Sequence, residues 1–371
     1  MIYLDNAAST RVLPQSAKAA AKANAEYFFN PSALYRKAEE AAKEIESARQ
    51  TVADALCCGK DEIYFTSGAT ESNNWAVFAG GLKRQKLCAV SSLGEHAAVY
   101  ESMLALEQRG VKTHFSPLNA DTSVKAEKFI ELATQNCGFV SLIHASNETG
   151  ILNDIGVIFS EIKNKNKNAI LHSDGVQAFC KIPSDVKKMG VDLYSISGHK
   201  IGAPKGIGAL YIKKDLNLRP FLYGGGQEKG KRSGTENISG IVAFATAVKE
   251  FEQMYKSEIM QKMRKDFFDI VSSACPNISL NGSIENSVPN ILSFSISSFK
   301  AEILQRTLEK DHNIIVGLGS ACAASKKGNR VLLAANKPQK EIHGNIRVSF
   351  SVETTYDEVI QAAKKIVLSI K

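Results

Sequence analysis

Apolar residues recur at steps of three and four between positions 36 and 56, and this spacing predicts one long amphipathic helix. Beyond it, short apolar runs alternate with helical patterns. We predict strands over residues 62–67, 87–92, 138–146, 169–174, 191–197 and 208–212. Strands that alternate with helices are typical of a mostly parallel sheet with helices on both faces, so the expected fold class is α/β.

The pattern changes after about residue 250. A helix rich in lysine and methionine is followed by turn signals, an apolar run at 290–297, another helix, a glycine-rich loop and a last strand–helix pair. We therefore predict two domains in the 371 residues. The large domain spans 15–250, and a smaller α+β domain combines 1–14 with 251–371.

Polar side chains follow several of the predicted strands at the point where each strand ends. The stretch SGATESNN at 67–74 opens a helix, and the free N–H groups of its first turn would bind an anion. Similar polar positions after later strands are His96, Asn147, Asp174, Gln177, Ser197, His199 and Lys200. Because ligands bind at the carboxyl ends of parallel strands, we expect these side chains to lie around one site.

The chemistry that suits this set is that of pyridoxal 5'-phosphate. The amine of Lys200 would form a Schiff base with the cofactor aldehyde, and the carboxylate of Asp174 would keep the pyridine nitrogen protonated. The imidazole of His96 would lie against the ring. Donors for the phosphate are available from Thr70, Ser197 and His199.

Composition narrows the function classes. The seven cysteines are irregularly spaced and form no C-x-x-C pair, so we expect neither a disulfide framework nor a metal site. No run approaches the about 18 apolar residues that cross a bilayer, and the first residues lack the pattern of a secretory signal. We predict a cytoplasmic protein without membrane partners.

The formal net charge of +8 is typical of a lysine-rich surface, with attraction to an acidic partner or RNA as the alternative. Basic clusters at 163–167 and 229–232 lack interleaved aromatic residues, so direct nucleic-acid binding is not expected.

Ten motifs occur in an order that resembles one family. They are YLDNAAST, NPSA, TSGATESNN, GEHAAV, SNETG, HSDGVQ, SISGHKIGAPKGIGALY, GGGQEKGKRSGTEN, GSACAAS and NIRVSF. Together they cover nearly the whole chain. The sequence resembles the cysteine desulfurases of the nitrogen-fixation and iron–sulfur-cluster assembly type, within the class V aminotransferases. The resemblance implies a fold-type I, pyridoxal phosphate-dependent enzyme.

The resemblance also implies individual roles. Lys200 matches the Schiff-base lysine and Asp174 the partner of the pyridine nitrogen. The residues matching those near the ring hydroxyl, on the ring face and around the phosphate are Asn147, Gln177, His96, Ala69, Thr70, Ser197 and His199. Thr235 matches a threonine that reaches the phosphate of the neighbouring subunit, which implies a homodimer.

Two further residues match positions that handle the substrate. Arg347 matches the arginine that holds the substrate carboxylate, with Asn147 beside it. Cys322 matches the sulfur-accepting cysteine, and its glycine- and alanine-rich surroundings at 316–329 independently predict an exposed, flexible loop where a thiol reacts. One departure is Tyr35, which stands near the expected site mouth where the family often has histidine.

The resulting hypothesis is a conversion of L-cysteine to L-alanine. Lys200 removes the α-proton, His96 handles the proton of the substrate thiol, and Cys322 becomes a persulfide. The sulfur then passes to an acceptor protein, either a cluster scaffold or a thiolation enzyme. Alternatives are a selenocysteine lyase, an aminotransferase of the same class, and an RNA-associated or scaffold protein with a vestigial site.

Overall fold

The structure is a computed structural model that describes residues 1–84, 87–134, 136–319 and 329–370. The strands are β1 Ile2–Leu4, β2 Ile63–Thr66, β3 Cys88–Ser92, β4 Thr113–Ser116, β5 Cys137–Ser141, β6 Ile170–Asp174, β7 Leu193–Ser197, β8 Gly208–Ile212, β9 Ile278–Leu280, β10 Ile291–Ile296, β11 Ile314–Val316 and β12 Asn345–Ser349.

The helices alternate with these strands through the first two thirds of the chain. They are α1 Pro14–Glu26, α2 Arg36–Ala55, α3 Ala69–Lys83, α4 Ala97–Glu107, α5 Ala126–Thr134, α6 Ile155–Lys165, α7 Ile238–Met254, α8 Ser257–Ala274, α9 Ala301–His312, α10 Arg330–Ala334, α11 Gln339–His343 and α12 Tyr356–Ser369. Among the described residues, no helix combines the length and apolar character needed to span a membrane.

A seven-stranded sheet has the order β2-β8-β7-β6-β5-β3-β4. Five neighbouring strands, β4, β3, β5, β6 and β7, run parallel, as the alternating pattern predicted. The strand β8 differs because it pairs antiparallel with both β7 and β2. Residues 198–207 are too few for the crossover of a dozen or more residues that a parallel neighbour requires.

Strand β4 was not predicted. Its sequence THFS is short, and three of its four residues are only partly buried at the edge of the sheet. The apolar signal that reveals a central strand is therefore missing there.

The predicted long helix is present as α2. Its periodic apolar side chains are buried, among them Ala41, Ile45 and Val52, and they belong to the core cluster that also contains residues of α7 and the central sheet. Burial of these apolar side chains against α7 and the central sheet stabilises the helix.

A second core lies around two smaller sheets, an antiparallel one with the order β12-β10-β9 and the parallel pair β1-β11. The residue after β1, Asp5, bridges to Ser349, and Gly317 after β11 bridges to Arg347. Both ends of the chain thus meet beside β12. The predicted domain boundaries stay a prediction.

Candidate active site

A cavity of about 390 Å³, here called the inner cavity, lies at the carboxyl ends of the central strands. It is lined by Ser67, Gly68, Ala69, Thr70, Glu71, His96, Ile143, Ala145, Asn147, Asp174, Val176, Gln177, Ser197, His199, Lys200, Lys205, Gly206 and Ile207. Nine of the ten residues that the sequence analysis assigned to the cofactor lie in this lining, the exception being Thr235. The parallel part of the sheet brings them together because its strands end at one edge.

Lys200 ends a short 3₁₀ turn after β7. Its Nζ donates to the carbonyl oxygens of Ala7 and Ala8, both at 2.7 Å, so the N-terminal segment holds the amine at the cavity wall. Burial and the charge of Arg347 lower the pKa of Lys200 to about 8, against the opposing effects of Asp5 and Asp174. The amine therefore loses its proton far more readily than a surface lysine.

Asp174 is the buried last residue of β6. Its Oδ2 accepts a hydrogen bond from Asn73 Nδ2 at 2.7 Å, and its Oδ1 accepts from the backbone N–H of Val176 at 3.1 Å. These two donors fix the orientation of the carboxylate. The sequence analysis missed Asn73, although its place in the first turns of α3, after the glycine turn, puts it on the helix end that faces the site.

The turn before α3 is shaped for an anion. Gly68 has φ of 151°, and a Cβ on Gly208 would lie 2.8 Å from Gly68 Cα, so both positions require glycine. The first-turn N–H groups of α3 consequently open toward the inner cavity. Glu71 in the same turn is paired with Arg232 at 2.8 Å. Although burial raises the pKa of Glu71, the hydrogen bonds from Arg232 and Ser67 outweigh it and lower that pKa.

The two histidines of the inner cavity are held differently. His96 caps α4, because its Nδ1 accepts the N–H of Ala98 at 3.1 Å. His199 Nδ1 lies 3.4 Å from Ser9 Oγ. Burial, followed by the charges of Lys200 and Lys205, lowers the pKa of His199 to about 4, so this imidazole is neutral at neutral pH.

A second cavity of about 900 Å³, here called the outer cavity, shares His96, Asn147 and Lys200 with the inner one. Its other lining residues are Asp5, Ala7, Ala8, Lys300, Glu302, Ile303, Gln305, Arg306, Gly317, Leu318, Gly319 and Arg347. The shared residues lie where the two cavities adjoin. A molecule in the outer cavity would therefore touch the same lysine as one in the inner cavity.

Arg347 of β12 is the buried cation of the outer cavity. Its Nη2 lies 2.6 Å from Asp5 Oδ1, and its Nη1 donates to the carbonyl oxygen of Asn147 at 2.7 Å. Its Nε is buried without a hydrogen-bond partner among the described residues. The sequence analysis gave Asp5 no role, because a partner 342 positions away leaves no local signal.

Cys322 lies outside the described residues. The described positions on either side of it are Gly319 and Asn329. A Cβ on Gly319 would clash with the carboxylate of the buried Glu148, to which Asn329 is hydrogen-bonded. Asn329 Nδ2 donates to Glu148 Oε2 at 2.8 Å, and Glu148 Oε1 accepts from Asn147 Nδ2 at 3.1 Å. The chain enters and leaves the cysteine-bearing segment next to the junction of the two cavities.

Two other predicted residues are not among the lining of the inner or outer cavity. Thr235 is exposed and lines a neighbouring cavity of about 150 Å³, which shares Ser67, Gly206 and Ile207 with the inner one. Tyr35 precedes α2 and is half exposed, with its ring edge against Phe29.

A family model described as Aminotransferase class-V matches residues 2–361. The chain therefore belongs to the class-V aminotransferase family. It is 35% identical over 366 residues to "Cysteine desulfurase IscS" of Clostridium botulinum, covering 96% of this chain and 91% of the relative. The resemblance to cysteine desulfurases that the motifs predicted is thereby confirmed.

Solved structures agree with these relatives. A structure described as "NIFS-LIKE PROTEIN" superposes with a TM-score of 0.92 at 32% identity, covering 100% of this chain and 99% of the other. "SspA in complex with cysteine" superposes with a TM-score of 0.84 at 31% identity, covering 96% and 100%. The predicted α/β fold class, that of the fold-type I enzymes, is confirmed.

Proposed function

We propose that the chain is a pyridoxal 5'-phosphate-dependent cysteine desulfurase. It converts L-cysteine to L-alanine and leaves the sulfur on Cys322 as a persulfide. The observation that carries the proposal is the inner cavity, which combines a lysine amine with a pKa of about 8, an oriented carboxylate and an open helix N-terminus. The curated relatives named cysteine desulfurase support the same reaction.

The residues of the inner cavity fit the cofactor. The first turn of α3 with Ala69 and Thr70, together with Ser197 and His199, would hold the phosphate. Asp174 would bind the pyridine nitrogen, and the side chains that would meet the ring face and ring hydroxyl are His96, Asn147 and Gln177. When bound through Lys200, the cofactor supplies an electron sink for the negative charge that develops at the substrate Cα.

Lys200 moves the first proton. The Lys200 Nζ would take the proton from the substrate Cα, because its lowered pKa leaves a fraction of the amine unprotonated at neutral pH. The carbonyls of Ala7 and Ala8 keep this Nζ at the wall shared by the two cavities. His96 in the same wall receives the proton of the substrate thiol.

Arg347 binds the substrate carboxylate at the outer cavity. Its planar guanidinium suits two parallel hydrogen bonds to a carboxylate, and Asp5 together with the Asn147 carbonyl holds its plane in place. This fixes the substrate Cα near Lys200, the residue that lines both cavities.

The Cys322 thiolate attacks the substrate sulfur. The bond between the substrate Cβ and sulfur breaks, a sulfur–sulfur bond forms, and the carbon fragment takes up protons to leave as L-alanine. The sum is L-cysteine plus the Cys322 thiol giving L-alanine plus the Cys322 persulfide, with no external oxidant. The thiolate is the reacting form because a neutral thiol is a weak nucleophile.

Three further features belong to the proposal. The protein is a homodimer in which Thr235, exposed in the single chain, reaches the phosphate of the neighbouring subunit.

The persulfide passes to a protein acceptor that serves iron–sulfur cluster assembly or thiolation. A cytoplasmic setting suits the six described cysteines, none of which forms a disulfide, because disulfides are rare in reducing compartments.

The proposal is tested with the purified chain, pyridoxal 5'-phosphate and L-cysteine. We expect equal amounts of alanine and of sulfide released by a thiol reductant, and we expect the Cys322→Ser variant to lose sulfide release while retaining the cofactor. Sulfide formation by that variant at the parental rate would refute the role of Cys322. Turnover of L-selenocysteine alone would favour a selenocysteine lyase, and conversion of a keto acid that survives thiol alkylation would favour an aminotransferase.

A further inference from the structure

Lys181 is a buried amine that the proposed reaction does not use. Only 4% of its surface is exposed, and it is not among the residues that line the inner or outer cavity. Within the described part of the chain, it forms no ion pair with a carboxylate. A lysine without a counterion is costly to bury, so its one side-chain hydrogen bond within the described residues calls for an explanation.

That contact is a hydrogen bond to Gln177, four residues earlier in the same turn. Lys181 Nζ donates to Gln177 Oε1 at 2.9 Å, and Gln177 Nε2 donates to the carbonyl oxygen of Ala7 at 2.9 Å. A rotated amide would place its NH₂ group against the lysine amine and its oxygen against the Ala7 carbonyl. Both contacts would be repulsive, so the two neighbours together select one orientation.

The same Ala7 carbonyl also accepts from Lys200 Nζ at 2.7 Å. Gln177 is 2% exposed, and it lines the inner cavity. With one N–H of Gln177 Nε2 on Ala7, the second N–H has no recorded acceptor among the described residues. A fixed amide can therefore offer a donor to a ligand of the cavity beside Lys200.

We propose that Lys181 is a positioning residue that keeps the Gln177 amide oriented with its N–H toward the ring oxygen of the cofactor. This inference rests on the proposed function. Lys181 does not touch the cofactor, and it acts by occupying the oxygen of the amide. The N–H that remains stabilises negative charge on the ring oxygen beside the nitrogen of Lys200.

The hydrogen bond from Lys181 to Gln177 does not depend on whether the lysine carries its charge. Burial, followed by the charge of Lys200, lowers the pKa of Lys181 to about 7, against a smaller opposing effect of Cys180. An ammonium group donates only, and a neutral amine still has N–H groups to donate. The hydrogen bond to Gln177 Oε1 is consequently available on both sides of neutral pH.

The test is a pH titration of the visible absorption of the full chain loaded with pyridoxal 5'-phosphate. The variants are Lys181→Met, which keeps much of the stem and loses the donor, and Lys181→Gln, which retains an N–H donor. The matched control is Lys187→Met, a loss of an exposed lysine in the same segment. Thermal unfolding of each variant checks that it is folded.

We expect the absorption midpoint of Lys181→Met to rise by about one pH unit, a tenfold change in proton affinity. A ring oxygen without its donor is a stronger base and holds the titrating proton more tightly. Lys181→Gln should restore part of the shift, and Lys187→Met should titrate as the parent does.

Unchanged midpoints in folded Lys181→Met and Lys181→Gln would overturn the inference. If Lys181→Met does not fold, a Lys181→Gln midpoint between that of the parent and a raised Gln177→Leu midpoint supports the inference. A parental midpoint in either Lys181→Gln or Gln177→Leu overturns it. Absence of a visible band in the parent itself would instead refute the proposed function, and the inference with it.

Discussion

The inner and outer cavities adjoin at Lys200, but their walls are assembled differently. The inner cavity is built at the ends of neighbouring strands of one sheet, and the buried Asp174 is oriented by Asn73 of the adjacent helix. The outer cavity depends on contacts between the two ends of the chain, such as the pair of Asp5 with Arg347. Because the two walls are built from different segments, we expect substitutions in one cavity to leave ligand binding in the other largely unchanged.

The largest effect that separates the two cavities is expected from Lys200→Ala, because this residue belongs to both. The variant should lose the visible absorption of bound cofactor and at least about 10³-fold in the rate of alanine formation. Absorption spectra after borohydride reduction and a steady-state assay measure the two losses. Lys165→Ala, which removes an exposed lysine, is the matched control. A cofactor still attached by reduction in Lys200→Ala would contradict the assignment.

A smaller effect, confined to the outer cavity, is expected from Arg347→Lys. An ammonium group cannot reproduce the two-pronged contact with a carboxylate. The KM for L-cysteine should therefore rise about 10-fold to 160-fold, since hydrogen bonds to charged groups are worth about 1.5–3 kcal/mol. The cofactor spectrum should remain parental. A changed cofactor spectrum in Arg347→Lys would show that this substitution also perturbs the inner cavity.

The converse change is expected from Asn73→Ala, which affects only the inner cavity. Removing the donor to Asp174 Oδ2 should lower kcat by about tenfold and weaken retention of the cofactor, because one hydrogen bond to a charged group is lost. The KM for L-cysteine should change little. Asn74→Ala on the same helix, whose side chain bonds to the backbone of Thr70, serves as the control. Equal effects of the two alanine variants would contradict a specific role of Asn73 in orienting Asp174.

An effect of another kind, on stability and not on catalysis, concerns Glu95, the residue before His96. Burial, with a smaller contribution from the charge of Asp174, raises the pKa of Glu95 to about 8. The folded state favours the protonated form of Glu95. The contribution of this residue to the free energy of unfolding is therefore fully present below about pH 4.5 and is lost as the pH rises toward about 8. The slope is at most about 1.4 kcal/mol per pH unit.

Glu95→Gln should flatten this part of the pH dependence of the free energy of unfolding, measured by denaturant titration without cofactor. The amide oxygen can still accept from the Ile143 N–H and the Ser92 hydroxyl, as Oε1 does in the parent. Glu101→Gln, at an exposed position of α4, should leave the slope unchanged. Identical slopes in the parent and Glu95→Gln would show that Glu95 is ionised in the folded chain.

Much of the inner cavity could be predicted because its residues follow apolar strands directly. Asp174 and Ser197 end β6 and β7, so the pattern that predicts the strands also predicts where these side chains emerge. The antiparallel direction of β8 was missed, since an apolar run carries no information on direction. Asn73 and Lys181 were missed because a polar residue on a helix or turn is more commonly exposed to solvent.

The helix α2, most of the strands of the central sheet and the order of motifs that identifies the family could all be predicted from the amino-acid sequence. These follow from periodicity and from residue types within short windows. Tertiary packing alone accounts for the pairing of Asp5 with Arg347 and for the hydrogen bonds that link Lys181, Gln177 and the backbone of Ala7. Such contacts depend on how distant segments pack and on which polar groups lose water, and a local pattern contains neither.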